Sequence, residues 1–276
     1  MKDFRDKVAA ITGSGSGIGR ALALDLGRRG AHLALSDVDP DGLAETARRA
    51  KALGVEVTTA VVDVADRAAV EAWAEAVVAD HGRVNLIANN AGVAVGATVE
   101  ATRYEDLEWL MGINFWGVVH GTKAFLPHLK AAGEGHIVNV SSIFGLHGIP
   151  TQSAYNAAKF AVRGFTEALR MELDIERCGV SATSVHPGGI KTNIAKNARL
   201  GTTAEEDPAA LEKGRRDFEK LLITSPEKAA AEIVRAVQLD KRRALIGPDA
   251  KAFELLTKLP PSITQRLVAG SARSRL

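Results

Sequence analysis

Seven short apolar, β-branched runs recur along the chain, and longer stretches with helical spacing separate most of them. No other feature narrows the fold as far. The runs are Val8–Thr12, His32–Ser36, Val55–Val61, Asn85–Asn89, His136–Val140, Val180–Val185 and Ala244–Ile246. Between them, Ala21–Arg29, Gly42–Leu53 and Val70–Ala79 place apolar residues at the period of a helix. Strand–helix alternation predicts a parallel sheet with helices on both faces. Ile137-Val138-Asn139-Val140 is almost wholly apolar, as a strand covered on both sides should be. Thr102-Arg103-Tyr104-Glu105 has capping-box spacing ahead of a helix expected to run to about Lys130. Ser225-Pro226-Glu227 predicts another helix start, with Pro at the first helical position and the end near Asp240. No internal repeat and no linker-like stretch interrupts the pattern, so residues 1–276 read as one α/β domain.

The first strand runs into Thr12-Gly13-Ser14-Gly15-Ser16-Gly17-Ile18-Gly19 and then directly into a helix. Glycines let the backbone turn tightly and approach a ligand, and a helix N-terminus offers free N–H groups to a pyrophosphate. The spacing is T-G-x-x-x-G-x-G rather than G-x-G-x-x-G, because Arg20 stands three residues after Gly17. At the end of the second run sits Asp37, placed to accept hydrogen bonds from adenosine ribose hydroxyls. Its charge would repel a 2′-phosphate, and no Arg or Lys stands at 14–16 or 37–39 to offset that. Without a dinucleotide, Asp37 is a solvated loop residue. With one, the expected cofactor is NAD.

Tyr155 and Lys159 stand at i and i+4, on one face of any helix they share. A free phenol has a pKa near ~10 and is a poor base at neutral pH. A cation within about 4–6 Å can lower such a value by roughly 1–3 units. The spacing alone is common by chance. Thirteen residues before Tyr155, Ser142 follows a strand end, where parallel sheets bind ligands, and Ser141 beside it competes for the same role. Asn89-Asn90-Ala91-Gly92 marks a further strand end, and Asn114 falls within the following helix.

Composition excludes other classes. The formal net charge is +2 with the cations scattered, which argues against nucleic acid. Cys178 is the only cysteine, so no internal disulfide is expected. The histidines have no ligand-like spacing to one another or to Cys178, so no metal site is expected. Neither a secretory leader nor a run of ~20 apolar residues is apparent, and a cytoplasmic location is the expectation.

Taken together, the glycine turn, Asn89-Asn90-Ala91-Gly92, Asn114, Ser142, Tyr155, Lys159 and Pro187-Gly188 with Thr192 resemble the short-chain dehydrogenase/reductase family in its shorter form. The resemblance covers about Lys7 to Gly247 and implies a Rossmann-type doubly wound sheet. By resemblance, Tyr155 is the general acid/base and Ser142 orients the substrate carbonyl. Lys159 holds the nicotinamide ribose and lowers the tyrosine pKa, and Asn114 supports a water in a proton relay. Gly13, Ser16, Gly17, Ile18 and Gly19 would cradle the pyrophosphate, with Ala91, Gly92, Pro187 and Gly188 lining the cofactor. Asp63 and Val64 would flank the adenine, Asn90 would meet the adenosine ribose, and Ile190 and Thr192 would hold the carboxamide. The resemblance also implies a homotetramer, or a dimer, built through helices near 104–130 and 153–176.

Two stretches are not set by the resemblance. Residues 193–224, with Leu211, Phe218, Leu221 and Leu222 on one side of an amphipathic pattern, are expected to cover the substrate. The tail after Pro248 carries Phe253, Leu255, Leu256, Leu259 and Leu267; it is expected to pack on its own core or a neighbouring subunit, and Pro260-Pro261 would break a membrane-surface helix. Val93, Val95, Ile143, Phe144, Leu146 and Ile149 should make the pocket hydrophobic, with Phe144 against the substrate. The expected activity is hydride transfer between NAD(H) and a secondary alcohol or ketone, the small-molecule partner. The alternatives are a catalytically silent NAD-binding or sensing protein of the same fold, and an epimerase or lyase. The latter tend to carry T-G-x-x-G-x-x-G and a larger C-terminal region, which this chain lacks.

Overall fold

The computed structural model describes residues 1–194, 196–200 and 222–272. Seven parallel strands form the central sheet: β1 (Val8–Thr12), β2 (His32–Asp37), β3 (Val57–Val61), β4 (Leu86–Asn89), β6 (Gly135–Val140), β7 (Val180–Pro187) and β9 (Arg243–Ile246). Their spatial order is β3-β2-β1-β4-β6-β7-β9. Chain direction across the sheet reverses between β1 and β4, and ligands of doubly wound folds bind beyond the strand ends at such a point. Two further short strands, β5 (Val95–Gly96) and β8 (Arg199–Leu200), pair with each other outside the sheet.

Helices cover both faces. Leu22 and Leu26 of α1 (Gly17–Arg28), Leu43 and Ala47 of α2 (Pro40–Lys51), and Ile233 and Val237 of α7 (Pro226–Gln238) bury one face. Trp73 of α3 (Arg67–His81), Phe125 of α5 (Gly117–Ala131) and Leu169 of α6 (Ser153–Glu176) bury the other. All six residues of β6 are buried, which explains its mostly apolar run. Fully burying a side chain the size of Leu or Phe is worth roughly 1.5–3 kcal/mol, so these two layers dominate the stability.

Two expectations about helix boundaries fail for local reasons. The predicted capping box is not formed: α4 (Tyr104–Met111) starts after Arg103 with no side-chain cap. The Thr102 side chain turns back instead, its hydroxyl donating to the Thr98 carbonyl at 2.7 Å, and the chain enters the helix one residue later, after Arg103. The single helix expected from about 104 to 130 is three pieces, because a π-helical turn at Gly112–Trp116 separates α4 from α5. At Ser225 the reading holds, with the hydroxyl accepting from the Lys228 amide at 3.2 Å. The tail folds into α8 (Pro248–Leu256) and α9 (Pro261–Ala272), broken at Pro260-Pro261. Most of the segment expected to cover the substrate, including Leu211, Phe218 and Leu221, lies outside the described residues.

Candidate functional site

The glycine turn stands over the reversal point. Gly13 and Gly17 both have positive φ, 64° and 51°. A side chain on Gly13 would come within 2.8 Å of the Ala91 backbone, so the turn lies directly against the end of β4. Thr12 ties the two strand ends together, its hydroxyl accepting from the amides of Asn90 and Ala91 at 3.0 and 3.1 Å. The Asn90 side-chain amide donates to the carbonyls of Thr12 and Gly13 at 3.0 and 3.1 Å, holding the turn. Ser16 at the start of α1 makes no side-chain cap, and no acidic residue stands in the first turn. Asp39, Asp66 and Ser225 do cap α2, α3 and α7. The amides of Gly17, Ile18 and Gly19 thus open a positive helix end to an anion, which fits a dinucleotide pyrophosphate.

Asp37 ends β2 beside the turn. Its carboxylate accepts from the Gly15 amide at 2.7 Å and from the Asp39 amide at 3.0 Å. A carboxylate has about four acceptor positions, so two remain for ribose hydroxyls. Asp63 is exposed after β3, while Val64 is buried against Gly117 of α5. Across the opening, Ile190 is buried and pairs with Thr224, and Thr192 lies against Gly17. The Pro187–Thr192 loop therefore closes on the glycine turn.

Ser142, Tyr155 and Lys159 meet at the end of β6. The Ser142 hydroxyl accepts from the Phe144 amide at 3.1 Å, and Lys159 Nζ lies 5.5 Å from the Tyr155 ring centroid. Lys159 is buried and donates to the Val140 carbonyl at 2.9 Å. Of the two serines, Ser141 is tied to α6, its buried hydroxyl donating to the Lys159 carbonyl at 2.8 Å. Burial pushes the Tyr155 phenol up to about 12, partly countered by Ser142, and pushes Lys159 down to about 8. Burial of the phenol thus opposes the lowering of the tyrosine expected from sequence.

Asn114 lies in the π-helical turn, fully buried. Its side chain accepts from the Val93 amide and donates to the Val93 carbonyl, both at 2.8 Å. A methyl group on Gly92 would sit 3.3 Å from Asn114 Oδ1 and 3.6 Å from Lys159 Nζ, so a glycine fits between them. The Phe144 ring meets Tyr155 edge-on at 6.0 Å. Two residues expected to line the pocket, Val95 and Leu146, are buried, and Val95 packs with Ala154 and Ala158 of α6. Val93, Ile143, Phe144 and Ile149 keep partly exposed surface.

Three further residues shape the site without any spacing signal. Asn156 clamps the loop after β6, donating to the Phe144 and His147 carbonyls and accepting from the Ile149 amide, all within 3.1 Å. Asp249 accepts from the Gly189 amide at 2.6 Å and fixes the Pro187–Thr192 loop. His186, buried, bridges the Ser184 hydroxyl and the Ser142 carbonyl at 2.9 Å each. Each is one polar residue that bonds backbone groups 7 to 60 residues away. Thr12, whose role was also missed, does carry a signal, as the threonine of the glycine motif.

Residues 7–202 match the short chain dehydrogenase family. The chain is 54% identical over 269 residues to the putative oxidoreductase SadH of Mycobacterium tuberculosis, covering 98% of this chain and 96% of that one. It is 36% identical to estradiol 17-beta-dehydrogenase 11 of Pongo abelii, covering 97% and 83% of the two chains. The fold superimposes on a short-chain dehydrogenase/reductase from Burkholderia phymatum in complex with NAD, with TM-score 0.85, 32% identity, and 93% and 94% coverage. The chain belongs to the short-chain dehydrogenase/reductase family and has its Rossmann fold. It is an oxidoreductase of that family.

Proposed function

We propose that this oxidoreductase moves hydride between NAD(H) and a bulky, weakly polar secondary alcohol or ketone. The gathering of Ser142, Tyr155 and Lys159 at the end of β6, beside an uncapped helix N-terminus, carries the reading. The bound nicotinamide supplies the hydride acceptor or donor. Ser142 and Tyr155 hold the substrate oxygen between their hydroxyls. The Tyr155 oxygen takes the alcohol proton in oxidation and returns it in reduction. Lys159 holds the nicotinamide ribose and favours the phenolate, opposing the burial that otherwise keeps the phenol protonated. Asn114 fixes the Val93 peptide and supports the route by which the proton leaves past Lys159.

NAD rather than NADP is supported by Asp37 and by the NAD complex of the Burkholderia phymatum relative. The apolar substrate class is supported by Phe144, Ile143, Ile149 and Val93, and by the relative named an estradiol dehydrogenase. Exposed Trp116, Phe160 and Met171, on and beside the two long helices, support a homotetramer or dimer. The test is a panel of steroids, aliphatic alcohols, sugars and acyl thioesters with both cofactors, read by NADH absorbance. Cyclic or long aliphatic alcohols should be turned over more efficiently than polyols; the reverse order overturns the substrate class.

A further inference from the structure

No step above uses the carboxylate of Asp106, which is 2% exposed on α4. A charge so placed is costly unless paired. Arg103, three residues away, donates to one oxygen at 2.7 Å. Arg199 of β8, 93 residues on, donates to the other at 3.0 Å. The same guanidinium lies over the Trp109 ring, 3.5 Å from its centroid. A planar guanidinium can stack on a ring and bond a carboxylate together, which an ammonium cannot match.

The chain that Arg199 anchors leads to the candidate site. Its amide donates to the Ala94 carbonyl at 3.0 Å, and it pairs with Val95 in the β5–β8 ribbon. Asn114 holds Val93 at one end of this segment. At the other end the Ala97 amide donates to the Thr151 carbonyl at 2.9 Å, just ahead of α6. Val95 and Ala97 share an apolar cluster with Ala154 and Ala158 of α6, and Trp109 and Tyr155 pack against it.

We infer that Arg199 is a positioning residue: seated on Asp106 and Trp109, it sets where the 93–97 segment stands beside Tyr155, and so the wall against which the substrate binds. The inference rests on the proposed dehydrogenase reading. Arg199→Met, Arg199→Lys and Trp109→Leu test it under saturating cofactor. Arg199→Met should raise KM for the alcohol about tenfold while kcat changes far less and NADH affinity is unchanged. Arg199→Lys, which keeps the charge, should recover part of the loss. Arg199→Met combined with Trp109→Leu should cost less than the two effects summed, as coupled neighbours do. Hydrogen exchange gives a reading without substrate: amides of 93–97 and the first turn of α6 should exchange faster in Arg199→Met, with β1 and β4 unaltered.

An unchanged KM in an active enzyme overturns the inference, whatever the exchange. Parallel loss of NADH affinity, melting temperature and kcat overturns it too, because Arg199 is then a general structural tie. Wild-type protein that binds NADH but turns over no alcohol or ketone fails the dehydrogenase reading itself. In that case faster exchange at 93–97 still upholds the anchor, and unchanged exchange overturns it.

Discussion

At the residue scale, the geometry sets two opposed demands on Tyr155. It needs a phenol that titrates within reach of neutrality, yet burial pushes it up to about 12. Lys159 Nζ lies 5.5 Å from the ring centroid, and its own pKa, pressed to about 8, leaves it largely charged at neutral pH. Alcohol oxidation should therefore rise with pH, since the proton acceptor is the deprotonated form, and the Lys159→Met variant should move that rise to higher pH. Tyr155→Phe keeps the ring and its packing on Phe144 but loses the hydroxyl. It should retain NADH binding by fluorescence titration and lose about 10²–10⁴-fold in kcat. Half-retained activity would remove Tyr155 from the chemistry. Asp37 makes a separate prediction. Wild type should favour NAD over NADP by about tenfold or more in kcat/KM, a difference of ~1.4 kcal/mol. Asp37→Ala should narrow that ratio from both sides, by weakening ribose bonds and relieving repulsion of the 2′-phosphate. An unchanged ratio would make Asp37 only the Gly15 amide's partner. These residues were legible because each belongs to a pattern of spacing. Asn156, His186 and Asp249 were not, since each acts through backbone groups brought close only by the fold.

At the element scale, all seven strands of the sheet were legible to within two residues at either end. Buried parallel strands announce themselves as apolar runs, and the helices between them as period-3.6 patterns. The π-helical turn at Gly112–Trp116 was not legible, because it keeps helical spacing while adding one residue to a turn. It nonetheless carries Asn114 into position to hold Val93. The capping box failed because spacing does not reveal that the Thr102 side chain turns back toward Thr98 and that the helix starts after Arg103. The loop after β7 illustrates how one element depends on another. Asp249, in the first turn of α8, is the side chain that holds the Gly189 amide, and its second oxygen is buried with no partner among the described residues. Asp249→Ala should free the Pro187–Thr192 loop at a stability cost of about 1–3 kcal/mol. NADH affinity should fall further than substrate affinity, because that loop closes on the glycine turn. Equal loss of both, or of neither, would separate α8 from cofactor binding.

At the scale of the whole molecule, the sheet is closed to protons at two places where histidine lies inside it. His136 of β6 and His186 of β7 are both fully buried. Burial lowers His136 to about 3, and lowers His186 to about 4 despite its bond to the Ser142 carbonyl. An unfolded histidine titrates near ~6.5, so between that pH and the folded values the unfolded chain binds more protons than the native one. Stability contributed by keeping these rings neutral is fully present above about pH 6.5 and is lost as pH falls through the interval. Each histidine contributes a slope of about 1.4 kcal/mol per pH unit there. From pH 6.5 to 4.5 the pair should remove roughly 4 kcal/mol, a large share of the ~5–15 kcal/mol that holds a typical domain. The melting temperature should drop steeply across that interval, before most carboxylates are protonated. His136→Asn should lower stability at neutral pH, because the Thr183 hydroxyl loses its 2.8 Å partner, but should flatten the acid limb by about half. Melting curves of both proteins at half-unit steps would decide the matter. A wild-type profile flat down to pH 4.5, or a variant with the same slope, would mean that the acid sensitivity does not reside in the buried histidines.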